Sequence, residues 1–105
     1  MREERIAKLK QILEQDPNDS FSRYALALEY AGLGDKEEAV RILEEVLHRD
    51  ASYVPAYQQL GYLYENIGRR TDALTILKKG ITVATAHGDS HACSEMQEAL
   101  DELEA

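Results

Sequence analysis

The chain has no tryptophan, one phenylalanine, one cysteine and two prolines among its 105 residues. A single thiol, Cys93, closes no internal disulfide and suits a reducing compartment, so the cytoplasm is the expected location. No apolar run approaches the length of a membrane span. The opening segment MREERIAKLK is charged and amphipathic and has no apolar stretch of the signal-peptide kind. Lys and Arg are missing from residues 80–105, which hold six acids. Residues 1–79 hold 14 acids and 12 bases, so most of the net charge of −8 sits in the last quarter. Nucleic acid is excluded on this balance, because a polyanion needs basic patches to displace its counterions.

What is present is ordinary for a folded domain. Hydrophobic residues make up 44% and charged residues 30%, too apolar for a disordered chain. The length predicts one compact domain with one modest core.

The strongest internal signal is a repetition. GLGDKEEAVRIL begins at Gly32 and NIGRRTDALTIL begins at Asn66, 34 residues later. A shift of 34 aligns Leu26 with Leu60, Tyr30 with Tyr64, Gly34 with Gly68, Ala39 with Ala73, Ile42 with Ile76 and Leu43 with Leu77. Shifting backwards aligns Leu43 with Leu9 and Leu47 with Leu13, so the first segment reads as the second half of a unit. A period of this size marks stacked supersecondary units.

The local pattern predicts six helices. Ile6, Leu9, Ile12 and Leu13 share one face of the first. Asp-Pro-Asn-Asp at 16–19 ends it, and Asp19 or Ser20 caps the second. Gly34 supplies a left-handed turn, and Asp35 with Glu38 forms an acidic capping box for the third. Ser52 is expected to cap the fourth, with Pro55 in its first turn. Gly68 turns the chain again, and Thr71 or a neighbour starts the fifth. Gly88 ends that helix, and Asp89 or Ser90 caps the last. Ala92, Met96, Ala99, Leu100 and Leu103 form the apolar stripe of that helix. Ala39 and Ala73 are small where two helices are expected to cross.

These residues resemble the tetratricopeptide repeat (TPR) family. The second unit carries its pattern in Tyr57, Leu60, Gly61, Tyr64, Gly68, Ala73 and Leu77. The first carries it in Leu26, Ala27, Tyr30, Gly34, Ala39 and Leu43. The departures are Arg23 at a usual aromatic position, Val46 at a usual Ala, Ala51 where Pro is common, and Gly80 at a late Ala position. The resemblance implies an all-α fold, a right-handed α-solenoid of antiparallel helix pairs. Its parts would be a half-repeat helix over 1–16, repeat one over 18–51, repeat two over 52–87 and a capping helix over 89–105.

The resemblance also implies a concave groove that binds a peptide or protein segment. Carried onto this chain, the groove positions are Phe21, Tyr24 and Leu28 in the first pair. The second pair gives Gln58, Gln59, Tyr62, Glu65 and Asn66, and the last helix gives Glu95 and Glu98. Some members clamp a C-terminal carboxylate with Lys, Asn and Arg; here the matching positions are Tyr24, Leu28, Gln59, His91 and Glu95, which do not fit that role. Tyr24 and Tyr62 suit amphipathic contacts. Gln58, Gln59 and Asn66 suit hydrogen bonds to an extended backbone. Glu95 and Glu98 suit a basic side chain of the partner. A plainer reading has Phe21, Tyr24 and Leu28 packing on neighbouring helices and the acids merely solvated.

Chemistry is not expected. His87, His91 and Cys93 are separated by the Gly88-Asp89 break, and positions 91 and 93 point to different faces, so no metal site is predicted. Ser90 and Ser94 lack a glycine-framed nucleophile turn, and no Gly-rich loop cradles phosphate. The expectation is a protein-binding adaptor with no enzyme activity and no cofactor, binding neither nucleic acid nor membrane. The alternative is a structural module that associates with its own copies.

Overall fold

A computed structural model describes residues 1–105 and contains six helices and no strand. They are α1 (Arg2–Gln15), α2 (Ser20–Gly32), α3 (Lys36–Arg49), α4 (Val54–Asn66), α5 (Arg70–Ala86) and α6 (Ser90–Glu104). No helix is long and apolar enough to cross a membrane. The chain forms two compact units, residues 1–51 and 52–105. In the first, α2 packs on α3 and α1 packs on α2; in the second, α5 packs on both α4 and α6, and α4 touches α6.

Three turns repeat one solution. Gly34, Gly68 and Gly88 have φ of 85°, 82° and 69°, which an L side chain adopts only with strain. Their N–H groups donate to the carbonyls of Ala31, Glu65 and Thr85. The next residue in each case, Asp35, Arg69 or Asp89, donates to the carbonyl of Tyr30, Tyr64 or Ala84, at 3.0, 2.8 and 2.9 Å. This pairing satisfies the last carbonyls of the departing helix while reversing the chain.

The helix starts differ from expectation in places. Asp19, Asp35 and Asp89 do cap, accepting from the N–H of Ser22, Glu38 and Ala92. The capping box at Asp35 is only half formed, because Glu38 turns outward to Arg41 instead. Tyr53 rather than Ser52 is the capping residue of α4, and it makes no side-chain capping bond. Pro55 in the first turn relieves that end by removing one N–H that would need an acceptor. Thr71 lies inside α5, which starts after Arg69. The face expected on α1 is also narrower than predicted. Ile6 is buried and Leu9 and Leu13 are half-buried, but Ile12 is exposed. Packed chiefly on α2, α1 is covered along a narrow stripe, and Ile12 falls outside it.

The core of unit 1 is Ile6, Leu26, Ala27, Ala39, Val40, Ile42, Leu43 and Val46. Arg2 and Arg5 both reach Glu29 Oε1, at 3.2 and 3.1 Å, and hold α1 on α2. In unit 2, Tyr57, Leu60, Leu63, Leu77 and Met96 are fully buried. Ala39 and Ala73 are completely covered, as expected of crossing points.

Gly80 marks the closest approach in unit 2. A Cβ at this position would lie 2.6 Å from Met96 Sδ and 2.6 Å from Tyr57 Cβ. Met96 has flexible bonds and can move; the Tyr57 stem is fixed by its own helix. Gly→Ala inside an exposed helix usually stabilises by about 1 kcal/mol. Here the sign should reverse, with Gly80→Ala losing about 1–3 kcal/mol through overpacking. Urea denaturation of the variant against wild type is the check, and a gain in stability would contradict this packing.

Candidate functional site

The expected groove positions fall on α2 in unit 1 and on α4 and α6 in unit 2. On α2, Phe21, Tyr24 and Leu28 follow i, i+3, i+7 spacing and share a face. Phe21 stands in solvent at 69% exposure, which removes the reading that it packs on a neighbouring helix of its unit. Tyr24 and Leu28 are half-buried.

Unit 2 holds a shaped site. A cleft of about 320 Å³ lies between α4 and α6, lined by Gln58, Gly61, Tyr62 and Glu65 of α4, Leu77 of α5, and Glu95, Ala99, Glu102 and Leu103 of α6. Buried Gly61 and Leu77 supply an apolar floor, and no Lys or Arg lines the cleft. Tyr62 is 61% exposed. Gln58 Nε2 donates to Glu95 Oε1 at 3.1 Å and ties the two walls together. His91 Nε2 lies 3.2 Å from the same oxygen. Asn66 donates its amide to the Tyr62 carbonyl at 3.3 Å, which occupies one of its groups locally. Glu65 and Glu102 face solvent with no ion-pair or hydrogen-bond partner.

The structure therefore brings together Gln58, Tyr62, Glu65 and Glu95 of the expected set. Gln59 is half-buried on α4, and Glu98 is exposed on α6; neither lines the cleft. Sequence reasoning missed Glu102 and the floor. Glu102 was within reach, since it follows Glu95 by seven residues, two helical turns on the same face. The floor was not, because Gly61 and Leu77 carried the repeat pattern and read only as core.

The arrangement offers hydrogen bonds, an exposed ring and carboxylates, which are the means of binding. His87 Nδ1 contacts the Val83 carbonyl and Cys93 Sγ contacts Thr85 Oγ1 at 3.3 Å, so the two turn to separate local partners. No three His, Cys, Asp or Glu side chains gather into a metal-holding group.

Comparison with known proteins agrees with the helical repeat. Tetratricopeptide repeat profiles match residues 1–56 and 54–87. A TPR repeat-containing protein of Methanocaldococcus jannaschii is 31% identical over 80 residues, covering 76% of this chain and 25% of that protein. The chain thus spans about a quarter of that curated relative's length. Among solved structures, the crystal structure of a tetratricopeptide repeat domain protein from Salinibacter ruber superposes with a TM-score of 0.79 at 38% identity. The match covers 83% of this chain and 98% of that one. A protein from Bordetella parapertussis superposes with a TM-score of 0.80 at 26% identity, covering 93% of this chain and 85% of that one. Proteins with this repeat generally mediate protein–protein interaction and are generally scaffolds rather than enzymes. With the 34-residue register, the glycine turns and the buried crossing alanines in place, this chain belongs to the tetratricopeptide repeat family.

Proposed function

We propose that the chain is a protein-binding adaptor whose α4–α6 cleft takes a Lys or Arg side chain of a peptide or protein segment. One observation carries this reading. Tyr62, Glu65, Glu95 and Glu102 stand around an apolar floor with no basic residue in the lining. An aliphatic stem fits against Leu77 and Leu103, and its charged head meets the carboxylates, as long basic side chains bury stem and head differently. The exposed ring adds attraction for a cation over its face. Gln59 remains available to an extended backbone, and Gln58, whose Nε2 is held by Glu95, keeps its amide oxygen as an acceptor. Phe21, Tyr24 and Leu28 give unit 1 an apolar stripe for the partner's apolar residues.

The test is binding of a Lys/Arg-containing peptide, selected from a display library against the whole chain. Tyr62→Ala should weaken it by about 1–2 kcal/mol, as loss of an aromatic anchor does. Glu65→Lys with Glu102→Lys should slow association at low salt and erase its salt dependence. Unchanged binding in both variants would remove the cleft from the working surface. A mass that rises with concentration in sedimentation, lost with the same variants, would favour self-association instead.

A further inference from the structure

A second cleft lies in unit 1 and has a different character. It measures about 330 Å³ and is lined by Lys10 and Leu13 of α1, Arg23, Leu26 and Tyr30 of α2, and Glu38, Arg41, Ile42 and Glu45 of α3. Both carboxylates are already engaged. Glu38 pairs with Arg41, and Glu45 accepts from Arg49 Nε at 2.6 Å. Two cations make no direct ion pair, although Lys10 feels the Glu38 charge and Arg23 those of Glu45 and Asp19. Lys10 has its ammonium 5.7 Å from the centre of the Tyr30 ring. Arg23 donates to the Pro17 carbonyl and to no other group, so most of its N–H donors are unspent.

Arg23 stands where the second repeat has Tyr57. There a fully buried ring fills its unit's core; here a half-buried guanidinium borders open volume. The three cations do not recur 34 residues along the chain. One repeat later, the positions of Lys10, Arg23 and Arg41 are Glu44, Tyr57 and Thr75. Burial and the nearby Arg49 charge lower the Arg23 pKa, against a smaller opposing pull from Glu45 and Asp19, so the guanidinium is only partly compensated within the chain. An anion in the cleft would offset the Arg49 repulsion.

We propose that this cleft is a docking site for an Asp or Glu side chain of a protein partner, held by Arg23 and Lys10 with Leu13, Leu26 and Ile42 beneath. Charge complementarity selects the occupant. A single carboxylate meets two cations that make no direct ion pair of their own. A long polyanion would also face the rest of a chain whose net charge is −8. The site lies wholly in unit 1, so it stands apart from the reading of the α4–α6 cleft.

The experiment titrates the whole chain with a short, end-blocked Glu-rich peptide at low and high salt, followed by amide NMR shifts and calorimetry. Saturable shifts centred on Lys10, Arg23 and Tyr30, weakening with salt, are expected. Arg23→Tyr, which installs the residue found one repeat later, should weaken binding by about tenfold or more. Lys10→Glu, on the open side of α1, should do the same and guards against a folding defect at position 23. Tyr62→Ala should leave this binding unchanged. The proposal is overturned by absence of saturable binding, by shifts centred elsewhere, or by full affinity in both variants. Inorganic phosphate giving the same shifts with equal affinity would also overturn it, since the site would then recognise free anions.

Discussion

Tyr57→Ala should lose about 3–5 kcal/mol of stability, the range for removing a large buried ring. That is a large part of the roughly 5–15 kcal/mol by which a domain is usually stable. Tyr57 is 1% exposed and ranks first in volume among the fully buried side chains. It meets α5 at Gly80, where even one added carbon would collide with its stem. The two features are linked: the glycine makes room for the ring, so removing the ring leaves a void that the facing backbone cannot fill. Tyr57→Phe keeps the ring and should lose far less. Denaturation followed by circular dichroism separates the two, and a loss near 1 kcal/mol for the alanine variant would show that the helices close over the gap.

Deleting residues 90–105 should leave unit 2 aggregated or unfolded. The deletion removes Met96, Ala92 and Leu100, which are 0%, 6% and 6% exposed, and uncovers their partners on α5. Each large apolar side chain contributes about 1.5–3 kcal/mol when fully buried. The polar links lost with them weigh less. Lys78 reaches Glu104 at 3.7 Å on the surface, where such pairs contribute little. Light scattering and melting of the truncated chain are the measurements. A soluble truncation with an unchanged melting temperature would make α6 a dispensable arm and its packing on α5 inconsequential.

Much of this was legible in the residues. The register of 34 identified Ala39 and Ala73 as crossings and Gly34 and Gly68 as turns, because each such position tolerates few side chains. Helix starts were less legible. A cap depends on the backbone angles of one residue, and Ser52 and Tyr53 cannot be ranked for that by type alone. Periodicity reports which face a residue occupies but not how far the neighbouring helix extends over it, so Ile12 was assigned to a covered face. Gly80 looked like a departure from the family pattern; its reason is a contact with Tyr57 and Met96, and Tyr57 lies 23 positions earlier in the chain. Clefts were least legible of all. Four of the ten groove positions line the α4–α6 cleft, but its floor is made by residues whose sequence signal was that of core.

The three glycine turns also bear on how the chain acquires its fold. Each joins its helices with three residues, 33–35, 67–69 and 87–89. The α2–α3, α4–α5 and α5–α6 contacts are therefore made between stretches adjacent along the chain, with little loop entropy to overcome. Proteins dominated by such local contacts reach the native state in microseconds to milliseconds. The α2–α3 pairing needs no residue beyond 49, so it does not depend on α4.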